Sequence, residues 1–173
     1  MPAPLPLLVI LAKFALPILF LTQPLTIWLN YFLDIIDGDL LRFLGLSEYT
    51  YQTVDKAADF VSYLFMLLMA RKWRIRQTVV NLFIYRAIGQ ALFFLTRDER
   101  MFFLFQNFLE PLLLIYTLLI FKTKSETKAY QLYQKHKILI WSIVIIYKVV
   151  NEWYLHIANI DLSSLFFGFN GGS

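Results

Sequence analysis

Long apolar windows separated by short polar connections follow one another along most of this chain. A helix needs about 20 predominantly apolar residues to cross a bilayer, and six windows approach this length: 5–21, 25–44, 52–69, 78–95, 101–121 and 138–155. The two-residue alternation of barrel strands is absent from the pattern, and lipid admits only helices and closed barrels as spanning structures. The pattern therefore predicts an all-α integral membrane protein, a six-transmembrane-helix bundle.

The connections between these windows are polar, and the longest of them, 122–137, is predicted to be a loop. Basic residues divide unequally between the two sides of the predicted bundle. Seven of them lie in the connections around 71–76 and 122–128, and four lie on the opposite side, at positions 42, 56, 97 and 100. The positive-inside rule favours the first side as cytoplasmic.

Composition agrees with a multi-pass membrane protein. Hydrophobic residues make up 59% of the chain and charged residues 16%, against about 45–50% and about 25% in soluble domains. Because the apolar surplus extends over the whole length, residues 1–173 are predicted to form a single transmembrane domain. The chain has no cysteine, which excludes thiolate nucleophiles and cysteine metal sites, and no basic face is available for nucleic acid.

Four aspartates stand out against this apolar background. Asp34 and Asp37 are three residues apart near the end of the second window, and Asp55 and Asp59 are four apart at the start of the third. On a helix, each spacing places both side chains on one face. The short connection between the windows makes the two helices antiparallel neighbours, so all four carboxylates are expected to converge in a cavity at one membrane edge.

Charge in such a place needs compensation, because a carboxylate near the centre of a spanning helix costs about 2.5–3.5 kcal/mol. A ligand set of oxygen atoms alone favours magnesium, manganese or calcium over zinc. We therefore expect Asp34, Asp37, Asp55 and Asp59 to be metal ligands, for Mg²⁺, Mn²⁺ or Ca²⁺. The alternative is that the four side chains only face headgroups and water at helix ends.

The spacing of these residues resembles a known signature. The CDP-alcohol phosphotransferase motif, D-x2-D-G-x2-A-R-x8-G-x3-D-x3-D, is matched at Asp34, Asp37, Gly38, Arg42, Asp55 and Asp59. The chain departs from the motif at two small-residue positions, which are Leu41 and Tyr51. The resemblance covers residues 34–59 at motif level, and the rest of the chain only through the number of predicted spans.

The resemblance implies an activity, namely transfer of a substituted phosphoryl group from a CDP-linked donor to an alcohol in phospholipid synthesis, with release of CMP. It implies that Asp34, Asp37 and Asp55 are metal ligands, and that Asp59 is a ligand or the catalytic base. Two metal ions about 3.5–4 Å apart stabilise both the attacking and the leaving oxygen in such a displacement. A general base must lie within hydrogen-bond reach of the hydroxyl that it deprotonates.

Four further residues are predicted to bind substrate. Gly38 lets a phosphate approach the helix closely because glycine has no Cβ, and Arg42 is suited to hold a phosphate oxygen. Tyr51 faces the expected position of the cytosine, where its ring either stacks on the base or blocks the pocket, and Leu41 crowds the same region. Arg86, an isolated charge in the fourth window, is a candidate for a phosphate of the donor or the acceptor.

Three functions are therefore weighed. The first is the metal-dependent membrane phosphotransferase, with a lipid or small alcohol as acceptor and a CDP-linked donor. The second is a non-catalytic membrane protein of the same fold that binds a lipid or a protein partner. The third is a small transporter that uses the aspartate cluster. A homodimer is left open as the assembly.

Overall fold

The computed structural model of the protein describes residues 4–43, 45–98 and 100–156, without the side chains at positions 4, 39, 42, 43, 48 and 152–156. Every regular element in these ranges is a helix, which confirms the all-α prediction. The α-helices, in chain order, are α1 (Pro4–Ala15), α2 (Thr26–Phe43), α3 (Glu48–Met69), α4 (Arg76–Thr96), α5 (Arg100–Leu104), α6 (Leu109–Thr123), α7 (Glu126–Lys135) and α8 (Lys137–His156). Two 3₁₀ helices, Leu16–Leu21 and Ala70–Lys72, complete the set.

Six long membrane spans are not what the structure displays. Among the described residues, α4 alone is long and apolar enough to cross a membrane by length and composition, and Leu5–Leu21 is a shorter apolar stretch. The helices α2 and α3 exceed the charge that a spanning segment normally tolerates, because they hold the aspartates, and α6 has only 15 residues. The structure thus gives an all-helical protein with one candidate span.

Two predicted windows are divided in the structure. The first changes from α-helix to 3₁₀ helix at Leu16, next to Pro17, whose ring prevents a regular helical hydrogen bond. The fifth is interrupted at residues 105–108, between α5 and α6. There the Asn107 side chain accepts a hydrogen bond of 3.2 Å from the Glu110 amide. This bond satisfies one of the free amides at the start of a helix. The predicted fifth window therefore ends as α5 and restarts as a separate helix, α6.

A third difference concerns the connection 122–137, where the predicted loop contains α7. The Ser125 side chain caps this helix by accepting from the Lys128 amide, which is the usual role of serine before a first turn. Inside the helix, Ala129 and Tyr133 are buried, while Glu126 accepts a 2.8 Å hydrogen bond from the Tyr116 hydroxyl of α6. The helix is amphipathic and packs on its neighbour instead of remaining in solvent.

The central helix is α3, which contacts α1, α2, α4, α6 and the first 3₁₀ helix. Its second half enters an apolar core, where Met66 of α3 and Ala70 of the following 3₁₀ helix are fully buried together with Phe20, Ile27 and Leu112. Its first half contains a buried charge, Asp55. One end of α3 is therefore anchored by apolar packing, and this packing holds the polar end in place.

Gly89 sets the distance between α4 and the connection that follows α5. A Cβ on Gly89 would lie 2.3 Å from the Cβ of Phe105. The same connection is held by Arg86, whose Nη1 donates to the Phe105 carbonyl at 2.8 Å, and by Tyr85, whose ring lies 5.2 Å from that of Phe105. Any side chain at position 89 would therefore push this connection away from α4.

We expect Gly89→Ala to lower the thermal stability of the protein in detergent. Overpacking costs about 1–3 kcal/mol, which outweighs the helix propensity of roughly 1 kcal/mol that alanine adds, because a Cβ atom cannot move without its backbone. Circular dichroism during heating would measure the change in Tm. Ala91→Ser, which adds one atom at an exposed position of the same helix, is the control and should leave Tm unchanged. A Tm for Gly89→Ala at or above that of the wild type would contradict the expectation.

Candidate metal centre

The four aspartates of the motif come together from two helices. Asp34 and Asp37 lie on α2, and Asp55 and Asp59 lie on α3. Carboxylate oxygens of Asp34, Asp55 and Asp59 all lie within 4.8 Å of one another. Asp37 is fully buried and joins the same group through a shared ionic partner. The helical spacing of the aspartates thus brings the four side chains together, as the sequence predicted.

The shared partner is Lys13 of α1, which the sequence analysis did not single out. Its Nζ lies 3.2 Å from Asp34 Oδ1 and 2.5 Å from Asp55 Oδ1, and it forms a third ion pair with Asp37 Oδ2. The side chain is only 5% exposed. An ammonium group thus lies at the position among the carboxylates where a metal ion would be expected.

A second ammonium borders the group on its other side. Lys56 Nζ lies 2.6 Å from Asp55 Oδ2 and 3.6 Å from Asp59 Oδ2. It also lies 5.4 Å from the centre of the Phe102 ring, a cation–π distance. Asp55 therefore has one carboxylate oxygen on each lysine and is the hub of the network.

The formal charges of this network do not balance. Among the described side chains, which do not include Arg42, four carboxylates contribute −4 when all are ionised and the two ammonium groups contribute +2, so the sum is −2 within a largely buried region. Asp37 Oδ1 is buried and has no hydrogen-bond partner. Buried charges are ordinarily paired or bound to metals, so a group of this composition remains short of positive charge.

The residues present fit a divalent cation. Carboxylates are the ligands that Mg²⁺ and Mn²⁺ prefer. Two ligands on opposite sides of one Mg²⁺ lie about 4.2 Å apart, twice the metal–oxygen distance of about 2.1 Å. The oxygens of Asp34, Asp55 and Asp59, all within 4.8 Å of each other, need only a small approach to bind one ion.

The residues predicted to bind substrate lie on α2, α3 and α4 and differ in burial and in contacts. Gly38 is buried on α2, Leu41 is 1% exposed, and Tyr51 is half-buried on α3, one turn before Asp55. The Arg42 side chain lies outside the described residues. Arg86 is buried, donates to the Phe105 carbonyl and lies 4.5 Å from the centre of the Phe102 ring. The contacts described for Arg86 join α4 to the α5–α6 region.

A further polar network lies beside the aspartates. The Asn107 amide donates to the Tyr63 hydroxyl at 3.1 Å and to Glu110 Oε2 at 3.2 Å. Tyr63, Asn107 and both lysines were not singled out as site residues in the sequence. Lys13 had a signal, since it is the only charged residue in window 5–21 and an isolated charge in such a window requires a partner. The sequence signal for Lys56 was weaker and consisted of its position between Asp55 and Asp59.

Comparison with known proteins adds no identity. No protein-family model, no curated protein and no solved structure matches this chain. The resemblance of residues 34–59 to the phosphotransferase signature consequently depends on those residues alone. What the protein does must be inferred from the geometry of its own site.

We expect Asp55→Asn to destabilise the protein strongly. The change leaves two ammonium groups without the carboxylate that they share, and removing one partner of a buried ion pair costs about 3–5 kcal/mol. Thermal unfolding in detergent would show this as a fall in Tm. The control is Asp98→Asn, because Asp98 also pairs with a cation, Arg100, at 2.9 Å, but on an exposed connection. Equal Tm values for the two variants would contradict the role of Asp55 as the hub.

Proposed function

We propose that this protein is a multi-pass membrane phosphotransferase similar to the CDP-alcohol phosphotransferases. In this reaction an alcohol oxygen bonds to the phosphorus of a CDP-linked donor, the phosphoanhydride bond breaks, and CMP leaves. The observation that supports the proposal most is the approach of Asp34, Asp55 and Asp59 from two helices to within 4.8 Å. These residues occupy motif positions, and their convergence is what a metal-dependent site of this kind requires.

The side chains suggest a division of roles. A divalent cation held by Asp34, Asp55 and Asp59 would neutralise charge on the transferred phosphoryl group. Asp55 is engaged by ammonium groups on both oxygens, which suits it for holding the site together. Asp59 has the longest ion pair of the network, 3.6 Å. It is the carboxylate best suited to accept the proton of the acceptor hydroxyl.

Surface composition supports a membrane location with more than one crossing. Large apolar side chains are exposed in stripes, as on α8, where Leu139, Ile143, Ile146 and Val150 are spaced as one helical face. Three charged groups of the candidate metal centre, those of Lys13, Asp37 and Asp55, are instead buried. Soluble monomers rarely expose contiguous apolar patches beyond a few hundred Å². Lipid would cover these faces, with the charged residues of α2 and α3 kept inside the bundle.

A second candidate is a non-catalytic membrane protein of the same architecture. Its support is that ammonium groups already contact all four carboxylates. In addition, Leu41 and Tyr51 are bulky at positions where the signature has alanine and glycine. Under this alternative the ion network is structural, and the protein binds a lipid or a protein partner without turnover.

Release of CMP separates these two candidates. We expect the purified protein in detergent to release CMP from a CDP-linked lipid in the presence of an alcohol, and to do so only with Mg²⁺ or Mn²⁺. Asp59→Asn should lower the rate by more than about 10²–10⁴, because it removes a ligand of the metal ion in addition to the general base, while Asp98→Asn should retain the wild-type rate. If the folded wild type releases no CMP with either metal, the non-catalytic candidate is favoured instead.

The membrane location is testable because the chain lacks cysteine. The 22 residues of α3 span about 33 Å at 1.5 Å each, close to the hydrocarbon thickness of about 30 Å. Tyr49 and Lys72 are exposed at its two ends, so Tyr49→Cys and Lys72→Cys report on opposite sides. We expect an impermeant maleimide to label only position 72 from outside intact cells, because CDP-linked donors are cytosolic.

Two other results of this labelling would be informative. Labelling of both positions from outside would contradict a crossing by α3. Labelling of position 49 alone would reverse the orientation and agree with the distribution of basic residues between the connections. Lysed cells provide the control, since both positions should then react.

A further inference from the structure

We infer that Lys13 is a built-in cation of the metal centre. Its ammonium fills one of two cation positions among the four aspartates, so the centre binds one divalent ion where two would otherwise fit. This inference rests on the proposed function, because it concerns the number of metal ions in the same site. Under this inference, α1 contributes one of the two cations of the centre through Lys13.

The two positions are defined by different sets of carboxylates. Asp34, Asp37 and Asp55 surround the Lys13 ammonium. Asp34, Asp55 and Asp59 form the second set, with oxygens within 4.8 Å of one another. Asp34 and Asp55 belong to both sets, as expected for ligands that bridge two adjacent cations. The first position already holds a positive charge, and the second is the one left for a metal ion.

The two lysines are not equivalent in this arrangement. Lys13 is 5% exposed and has three carboxylate partners, whereas Lys56 is 24% exposed and touches the second set from one side, at 2.6 Å from Asp55 and 3.6 Å from Asp59. Ammonium groups on long, partly exposed side chains reach water readily by rotation about their bonds. An ion entering the second position would therefore displace the Lys56 ammonium, which is partly exposed, and not that of Lys13, which is enclosed.

The backbone also keeps Lys13 in its position. The helix α1 contacts both α2 and α3 and continues directly into the 3₁₀ helix, where Pro17 and Phe20 are buried. Phe20 is completely inaccessible and belongs to the apolar core. Withdrawing Lys13 from the carboxylates would require this anchor to leave the core. The ammonium thus behaves as a fixed component of the centre.

Charge accounting leads to the same number of ions. Among the described side chains, four ionised carboxylates, Lys13 and Lys56 sum to −2, which one divalent cation neutralises. A second divalent ion beside Lys13 would bring the sum to +2 in a buried region and would repel the ammonium at short range.

Mn²⁺ binding tests this directly, without reference to turnover. We expect the purified wild type in detergent to bind one Mn²⁺ per chain by equilibrium dialysis, with the electron paramagnetic resonance spectrum of an isolated ion. Lys13→Met, which keeps the length of the side chain and removes its charge, should bind two, with a spectrum of coupled ions. Lys13→Arg keeps the charge and should remain at one.

A second pair of variants makes the test independent of how well Lys13→Met folds. Asp59 lines only the second position and Asp37 only the first. In the wild-type background, Asp59→Asn should therefore abolish Mn²⁺ binding, while Asp37→Asn should retain one ion. Loss of binding in both, or in Asp37→Asn alone, would overturn the inference.

The stoichiometry of the wild type and Lys13→Met also separates the two proposals. Two ions in the wild type, or one in both proteins, would overturn the role of Lys13 and leave the metal-dependent function standing. No ion in the wild type but binding in Lys13→Met would also overturn it, because Lys13 would then exclude every cation. No binding in any variant would instead contradict the proposed function itself.

Discussion

The structure depends on one interaction above all, the burial of the Lys13 ammonium among carboxylates of α2 and α3. An ammonium removed from water costs several kcal/mol unless charged partners surround it. Here the partners lie 21 and 42 residues further along the chain, so the charge is compensated only when all three helices are packed together. This condition ties the first helix to the position of the aspartates and links folding of the bundle to assembly of the site.

The rest of the fold supports this arrangement from a distance. The second half of α3 and the 3₁₀ helix that follows it are fixed by an apolar core that contains Met66, Ala70, Phe20 and Leu112. Phe20 also follows Lys13 by only seven residues. The same apolar core therefore positions both α1, which carries Lys13, and α3, which carries Asp55 and Asp59. Sites built on helices keep their geometry better than sites built on loops. In this protein the apolar end of the bundle provides the rigidity that its polar end needs.

The sequence predicted the features that depend on local spacing. The three- and four-residue intervals of the aspartates predicted one-sided pairs on two adjacent helices, and the structure places them so. Apolarity, in contrast, does not report where a helix ends. The break before α6 coincides with Asn107, and α7 begins after the Ser125 cap. Both are single polar residues, which the apolarity of a whole window does not resolve. Lys13 was missed because its partners are distant in the chain, although its isolation in an apolar window was a usable signal.

A lysine and a divalent cation are not equivalent in such a centre. The ammonium donates hydrogen bonds and brings a single charge that cannot dissociate from the protein, whereas a metal ion binds reversibly and polarises a phosphoryl oxygen. Tethering one positive charge keeps Asp34, Asp37 and Asp55 close together before any ion arrives, since their mutual repulsion is already reduced. Binding of an ion by Asp34, Asp55 and Asp59 would then require only small movements of these carboxylates, which Lys13 and Lys56 already hold near one another. In the proposed metal centre, the fixed cation would therefore preorganise the second position, at the expense of the Lewis acidity that a second metal would bring.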